Sequence, residues 1–257
     1  MSEPETAPAP APLLEVRGLT VRYGGVVAND DVDLTIGSGE IVGLIGPNGA
    51  GKTSLVDAVT GFTPATGEVV LDGRRLDGKP SHHRRRAGLA RTWQAGELFD
   101  DLTVAENVAV TTQSRGWRGF VADLFGGAPR SGADDAALTL LGLEDDAARR
   151  PDSLSLGRQK LVGVARALAG DSRVVLLDEP AAGLDTDESE AFGDVVRAMA
   201  GTGRGVLLID HDMNLVLTVC DRVYVLDFGR IIAVGHPDVV RHDPAVVTAY
   251  LGEEPAA

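Results

Sequence analysis

The stretch from residue 46 to residue 54 constrains the fold of this chain more than any other. It follows the apolar run 41–45 and precedes a helix-like segment, 53–60, that ends at Gly61. A strand, a glycine-rich loop and a helix in this order form the context that a phosphate-binding loop requires. The sequence therefore predicts a nucleoside triphosphate site. Its loop residues are Gly46, Pro47, Asn48, Gly49, Ala50, Gly51, Lys52, Thr53 and Ser54.

The chemistry of this loop follows from its residue types. Glycines carry no Cβ, so the backbone can wrap closely around a polyphosphate with successive N–H groups pointing inward. The N-terminus of the following helix adds partial positive charge. Lys52 can reach the β- and γ-phosphates, and the Thr53 hydroxyl can bind Mg²⁺.

A second group of polar residues follows two further apolar runs. The run 174–177 leads into Asp178 and Glu179, and the run 205–209 leads to His211. Continuous apolar strands are typical of a parallel sheet, and open α/β sheets bind ligands at the carboxyl ends of their strands. Asp178 would hold Mg²⁺, directly or through water, and Glu179 would act as general base on the water that attacks the γ-phosphate. His211 could donate to the γ-phosphate.

Other positions have two interpretations from the residues alone. Tyr23 is either a packed sheet aromatic or a stacking platform for adenine. Gln94, at the end of an expected strand 89–94, is either a contact to Mg²⁺ or to the attacking water, or a surface amide. Ser155 and Gly157 lie at the start of a helix expected from residue 159, and they form either a second anion site or an ordinary serine N-cap.

The histidine pair and three arginines at 81–86 could suggest a metal or phosphate site. We favour a solvated helix face with Ser81 as its N-cap, because runs of charge usually lie on solvent-exposed faces.

Periodicity divides the chain into regions. Residues 1–12 are rich in proline and alanine and are expected to be a disordered tail. Residues 13–23 predict a strand pair or meander, and 31–36 and 67–71 predict strands. Helical periodicity dominates from about 95 to 160, which we interpret as an inserted helical subdomain. Residues 252–257 form a C-terminal tail, and the absence of an internal repeat indicates one nucleotide-binding unit.

Composition excludes several classes of protein. The net charge of −14 argues against general nucleic-acid binding. Cys220 is the only cysteine, so an internal disulfide is excluded and a cytosolic compartment fits. Apolar runs fall short of the roughly 18 residues that a membrane span needs, and the first residues contain no signal-peptide core. If the protein serves a membrane, it does so from the cytoplasmic side and through a partner.

The order of these motifs resembles that of the ATP-binding cassette (ABC) ATPases from residue 13 onward. The resemblance implies ATP and Mg²⁺ as ligands. It also implies an α/β fold with a P-loop NTPase (RecA-like) core, an antiparallel β-subdomain and the inserted helical subdomain, together forming one ATP-binding domain over 13–251. In this family two cassettes dimerise head to tail, and each ATP lies between one phosphate loop and the partner's signature.

The resemblance assigns a role to each marked position. Tyr23 is similar to the adenine-stacking aromatic, and Gln94 to the Q-loop residue that links the γ-phosphate to the transporter. The remaining positions follow the family's order. They are the Walker A loop 46–53, the signature 154–158, the Walker B pair Asp178 and Glu179, the D-loop residue Asp185 and the switch residue His211. Ser155 and Gly157 would act across the dimer interface on the other chain's nucleotide.

The signature departs from the usual Leu-Ser-Gly-Gly-Gln, because Leu156 and Arg158 replace a glycine and the glutamine. A bulky third position is familiar in the branched-chain amino acid importers. Other stretches are also similar to the larger ATPase subunit of such importers: 43–53, 89–94, 98–108, 211–213 and 250–254. This resemblance implies a peripheral protein at the cytoplasmic face of the inner membrane. Its partners would be transmembrane permease subunits, a second cassette in a homo- or heterodimer and, indirectly, a substrate-binding protein.

Three alternatives stay open at this point. A soluble cassette ATPase without a transporter usually carries two cassettes or a long coiled-coil insertion. An unrelated P-loop kinase or GTPase gives no role to the signature or to His211. A cassette of another transporter would serve urea, another amide or a lipid.

Overall fold

The computed structural model describes residues 11–92, 98–111 and 132–251. The strands, numbered in chain order, are β1 Leu14–Tyr23, β2 Val26–Ile36, β3 Ile41–Ile45, β4 Thr66–Leu71, β5 Arg74–Arg75, β6 Leu89–Arg91, β7 Val174–Asp178, β8 Gly205–Ile209, β9 Arg222–Asp227 and β10 Arg230–Gly235. The helices are α1 Lys52–Thr60, α2 Ser81–Arg86, α3 Val104–Ala109, α4 Gly132–Leu140, α5 Leu156–Leu168, α6 Thr186–Gly201, α7 Met213–Val219, α8 Pro237–Val240 and α9 Pro244–Leu251. A short 3-10 turn, Pro151–Ser153, precedes α5.

The larger sheet has the strand order β10-β9-β3-β8-β7-β6. Its strands run parallel except for β10, which pairs antiparallel with β9. Every residue of β3, β7 and β8 is buried, as expected for strands covered on both faces. The carboxyl ends of these three strands therefore meet at one edge, where the predicted loop, acidic pair and switch histidine begin.

The smaller sheet, β2-β1-β4-β5, is antiparallel. It encloses one hydrophobic core together with α1 and one face of the larger sheet, and α5, α6 and α7 close a second core on the other face. The side chains of strand β7 alternate between the two cores. Val174 and Leu176 lie in the first core, and Val175 and Leu177 lie in the second. The mixed α/β fold is that expected of a P-loop NTPase.

Some local predictions were wrong. The stretch 13–23 is one strand paired with β2 on one side and β4 on the other, not a strand pair. Helix α2 has Pro80 as its N-cap, so Ser81 is its first residue and caps nothing. Strand β6 ends at Arg91, and Gln94 lies outside the described residues. Helix α5 begins earlier than expected, with Ser155 as its N-cap.

The interpretation of α2 as a solvated face was wrong for Arg84, which is 6% exposed. Its guanidinium donates to the carbonyl oxygens of Ala58, Val59 and Lys79 at 2.7–2.9 Å. The first two carbonyls belong to the last turn of α1, where backbone donors run out, although the Gly61 N–H also donates to the Ala58 oxygen at 3.2 Å. Arg84 therefore caps the helix that follows the phosphate loop.

Cys220 is buried at the end of α7, and burial raises the pKa of its thiol to about 12. A thiol with such a pKa is almost wholly protonated at neutral pH and is a poor nucleophile or ligand. Within the described part of the chain, no helix has the length and apolar character that crossing a membrane demands.

Candidate active site

The predicted phosphate loop is held against two other parts of the fold. A Cβ on Gly46 would lie 2.0 Å from the Leu226 carbonyl oxygen, and one on Gly51 would lie 2.4 Å from that of Ala28. Both glycines also have positive φ angles, 152° and 104°. Their conformation is thus required by packing within the protein. Gly49, by contrast, has φ 79° and nothing within 4 Å of its Cβ position, so it borders open space.

Lys52 lies across the loop that precedes it. Its Nζ donates to the carbonyl oxygens of Gly46 at 2.5 Å and Pro47 at 3.0 Å. Gly51 is the N-cap of α1 and has no side chain that could bond the first-turn N–H groups. The loop thus combines an ammonium group with a helix N-terminus, which suits an anion such as a phosphate.

Asp178 ends β7 and is only 5% exposed. Its backbone N–H donates to Thr92 Oγ1 at 3.1 Å, and its Oδ2 lies 3.4 Å from an Arg91 terminal nitrogen. Burial raises the pKa of this carboxyl, while the Arg91 charge opposes the shift. A buried carboxylate of this kind is an oxygen ligand that suits Mg²⁺, as is the exposed Thr53 hydroxyl at the start of α1.

Arg91 is a member of this site that the sequence did not reveal. Its side chain is 8% exposed and forms ion pairs with Asp57 on α1 and Asp178 on β7. The guanidinium also lies over the Phe62 ring, 5.6 Å from the ring centroid. An arginine in a short strand gives no sequence signal for this role, because its partners lie far away along the chain.

Glu179 follows Asp178 in a tight turn. Its φ of 49° is left-handed, a conformation that costs a non-glycine residue about 1 kcal/mol or more. Its N–H donates to the Ile209 carbonyl oxygen at 2.8 Å, and Lys160 Nζ on α5 lies 3.5 Å from its own carbonyl oxygen. The strained backbone is therefore held from β8 and from α5.

His211 follows β8, and its side chain is 69% exposed. Its Nδ1 lies 3.7 Å from Oδ1 of Asp210, which is itself 1% exposed. The parallel pairing of β3, β7 and β8 brings the phosphate loop, the acidic pair and this histidine to one edge of the sheet.

The predicted second anion site lies at the start of α5. Ser155 is the N-cap, and its Oγ accepts from the Arg158 N–H at 3.4 Å. Its neighbours on α5 contact the segment that follows the acidic pair. A Cβ on Gly157 would lie 3.0 Å from Glu188 Oε1, and the exposed Leu156 lies against Gly183.

Asp185 and Tyr23 complete the predicted set. Asp185 caps α6, because its Oδ1 accepts from the Glu188 N–H at 2.8 Å, and Glu188 Oε2 accepts from the Asp185 N–H at 3.3 Å. Tyr23 is 49% exposed, with its hydroxyl 3.4 Å from Thr63 Oγ1. Tyr23 is therefore not a fully packed sheet aromatic, and its role in stacking on adenine stays a prediction.

Comparison with known proteins agrees with this geometry. Residues 29–182 match the family model described as ABC transporter, and residues 230–256 match the model described as branched-chain amino acid ATP-binding cassette transporter. The chain is 39% identical over 251 residues to the high-affinity branched-chain amino acid transport ATP-binding protein LivG of Salmonella typhimurium, covering 94% of this chain and 98% of LivG. BraF of Pseudomonas aeruginosa, which has the same description, is 38% identical with the same coverage. The crystal structure of the ADP conformation of an ATP-binding cassette of an ABC transporter has a TM-score of 0.84 at 28% identity, over 95% of this chain and 100% of that one.

Proposed function

The chain belongs to the ATP-binding cassette transporter family, and on this basis we propose that it is the ATP-hydrolysing subunit of an importer for branched-chain amino acids. The observation that carries the choice of cargo is the match of residues 230–256 to the branched-chain amino acid cassette model. The names of LivG and BraF, relatives over almost the whole chain, support the same cargo.

In this proposal the loop 46–54 binds the triphosphate. Lys52, which bonds to two loop carbonyls in the structure, exchanges them for the β- and γ-phosphate oxygens. The N–H groups of the loop and of the first turn of α1 supply the remaining donors. Tyr23, exposed at the end of β1, stacks on the adenine.

Asp178, Thr53 and Gln94 are the proposed residues for Mg²⁺, of which Gln94 lies outside the described residues. When bound, the ion would neutralise charge on the β- and γ-phosphates. Glu179 accepts the proton of the attacking water, and His211 donates a hydrogen bond to the γ-phosphate. Gln94 also links the γ-phosphate to the transporter.

Two copies of the cassette complete each site in this scheme. Ser155, Gly157 and the N-terminus of α5 contact the γ-phosphate held by the other copy, and Asp185 lies near the same interface. Binding of ATP closes the dimer because these contacts form only across it. Hydrolysis removes the bridging charge and lets the two copies separate. The second copy is either this chain or a related ATPase.

We assign the ATP-binding domain to 13–251, with the helical subdomain at about 95–160 and tails at 1–12 and 252–257. In the described structure α3 and α4 lie within these bounds, and both contact α5, which begins inside them at Leu156. Its movement, hinged near Gln94, transmits the ATP cycle to the permease.

The surface between the subdomain and the core offers a place for a permease segment. A cavity of about 330 Å³ lies between α2, β6 and α5. Its lining includes Phe62 and Arg85. It also includes three residues of the proposed active site, Arg91, Asp178 and Glu179. A permease loop docked here would touch the side chains that hold the nucleotide site, so this cavity fits the coupling role. In this proposal the subunit lies at the cytoplasmic face of the membrane, and it reaches the substrate-binding protein only through the permease.

Uptake of radiolabelled leucine, isoleucine and valine tests this function. Cells that lack the chain should lose high-affinity uptake, and the wild-type gene should restore it. The Lys52→Ala variant should fail to restore uptake, whereas Lys79→Ala, which changes an exposed lysine outside the loop, should succeed. If cells that lack the chain take up these three amino acids normally but lose uptake of another solute, the assigned cargo is wrong.

A further inference from the structure

Asp210 is a buried carboxylate to which neither the sequence motifs nor the family resemblance gives a role. It follows β8 and is 1% exposed. Aspartate is almost never buried to this degree unless its oxygens are paired, because removing a carboxylate from water costs several kcal/mol. The groups that bond to Asp210 therefore indicate what the residue does.

Each Asp210 oxygen accepts one backbone N–H. Oδ2 accepts from Ala181 at 3.1 Å, and Oδ1 accepts from Asp212 at 3.0 Å. Ala181 lies two residues after Glu179, and Asp212 directly follows His211. One carboxylate thus bonds to both backbone segments that carry the proposed base and the proposed switch residue.

The turn that contains Glu179 donates hydrogen bonds to two consecutive residues, the last residue of β8 and the residue that follows it. The Glu179 N–H donates to the Ile209 carbonyl oxygen at 2.8 Å, and the Ala181 N–H donates to Asp210. Glu179 itself has φ 49°, a left-handed conformation that its neighbours must hold in place. These two hydrogen bonds hold it.

Lys160 brings the signature helix α5 to the same turn. Its Nζ lies 3.5 Å from the Glu179 carbonyl oxygen, and the residue is 9% exposed. Burial lowers the pKa of this lysine, while the charges of Asp210 and Glu179 oppose the shift. The negative charge of Asp210 thus has a cation nearby on α5.

We propose that Asp210 is a positioning residue for ATP hydrolysis, whose carboxylate fixes the Glu179 turn and the His211 loop relative to each other. The proposal rests on the proposed function, because it needs Glu179 and His211 to act on the nucleotide. Asp210 itself touches no part of the phosphate loop in the contacts described, so it should affect the chemical step and not the binding of ATP.

Asp210→Asn is the most specific test, because it keeps the shape of the side chain and replaces one of the two acceptor oxygens. An amide offers one oxygen, so either the Ala181 or the Asp212 N–H would face an NH₂ group. We expect kcat to fall roughly 10- to 100-fold, the range that small misplacements of catalytic groups produce. The KM for ATP and the affinity for a fluorescent ATP analogue should stay within about threefold of wild type, because the groups that bind the phosphates are unchanged.

Two further variants separate positioning from general destabilisation. Asp210→Glu keeps both carboxylate oxygens, and its kcat should lie closer to wild type than that of D210N. Asp221→Asn is the matched control, since Asp221 accepts the Ile41 N–H at 2.8 Å at the opposite end of the sheet. It should leave kcat unchanged. Thermal unfolding of all three variants shows whether each is folded at the assay temperature. If D210N is unfolded there, D210E is assayed in its place.

The outcomes are distinct. A wild-type kcat in D210N, with Glu179→Gln inactive in the same assay, would overturn the role of Asp210 and leave the proposed function standing. Parallel losses of kcat and ATP affinity, matched by a fall in melting temperature and not relieved in D210E, would reduce Asp210 to a structural residue. Wild-type protein that does not hydrolyse ATP at all would overturn both proposals.

Discussion

Arg158 and Asp146 form an ion pair, with Nε 2.5 Å from Oδ2. A second guanidinium nitrogen of Arg158 donates to the Gly142 carbonyl oxygen at 2.9 Å, and Arg149 bonds to the other Asp146 oxygen at 2.9 Å. Asp146 is only 5% exposed in its side chain. The arginine that replaces the signature glutamine therefore bonds within the helical subdomain and anchors the start of α5 there.

Replacing Arg158 by glutamine, which restores the usual signature residue, should destabilise this protein. The change leaves one oxygen of a buried carboxylate without its charged partner, at an expected cost of about 1–3 kcal/mol. The melting temperature should fall by roughly 2–4 °C per kcal/mol for a chain of this size. Differential scanning calorimetry of the nucleotide-free protein measures this.

The matched control for that change is Arg197→Gln. Arg197 pairs with Asp194 on the surface of α6, where the two side chains are 44% and 81% exposed, and it also donates to the Thr218 carbonyl oxygen at 3.2 Å. Such surface pairs contribute little, so its melting temperature should stay within about 1–2 °C of wild type. Equal melting temperatures for the two variants would contradict the anchoring role of Arg158.

Arg84→Met should be strongly destabilising because Arg84 is the C-terminal cap of α1. Methionine fills much of the same space but removes the donor to the carbonyl oxygens of Val59 and Lys79, and it leaves the Ala58 oxygen only the Gly61 N–H. Unpaired buried polar groups cost about 1–3 kcal/mol each, so we expect a total loss of about 3–5 kcal/mol in denaturant unfolding. Arg86→Met, two residues along on the exposed side of α2, should change stability by less than about 0.5 kcal/mol.

Asp178→Asn should stabilise the nucleotide-free protein at neutral pH while abolishing hydrolysis. Burial raises the pKa of Asp178, so the folded state binds more protons than the unfolded state in the window above about pH 4. The free energy of unfolding therefore falls as the pH rises through that window, and the ionised carboxylate stays unfavourable above it.

Melting temperatures between pH 4 and pH 8 test the prediction for Asp178. D178N should melt above wild type at pH 7, and the difference should shrink as the pH falls toward 4. Asp145→Asn, a change at an exposed position, should follow wild type at every pH. A lower melting temperature for D178N at pH 7 would show that the charged contact to Arg91 outweighs the cost of burial.

The sequence predicted that the phosphate loop, the acidic pair and His211 follow buried strands, and the structure brings them to one edge of the sheet, because the signals for this placement are local. A glycine loop between a buried strand and a helix, and polar residues directly after apolar strands, needed no knowledge of distant contacts. The cap of α6 by Asp185 is likewise set by residues three positions apart. These features depend on neighbours in the chain, which a single sequence displays.

The residues that support this edge could not be predicted in the same way. Arg84, Arg91 and Arg158 each bond to a residue 12 to 87 positions away, so nothing beside them in the sequence marks these contacts. Asp210 precedes a recognisable histidine, but only the pairing of β7 with β8 brings Ala181 to its carboxylate. Long-range pairing, not local propensity, decides these roles. The assignments of Gln94 and of the subdomain boundaries stay predictions.

ATP is proposed to join two cassettes, and the mass of the Glu179→Gln protein in solution is the direct measurement of that association. Removing the base should slow hydrolysis and leave ATP bound, so light scattering with ATP and Mg²⁺ should report twice the chain mass of 26.8 kDa, or the mass of a pair with the ATPase that co-purifies with it. The same protein with ADP should stay at the mass of one chain. A nucleotide-saturated protein that remains at 26.8 kDa, alone and with that ATPase, would show that ATP does not join two cassettes.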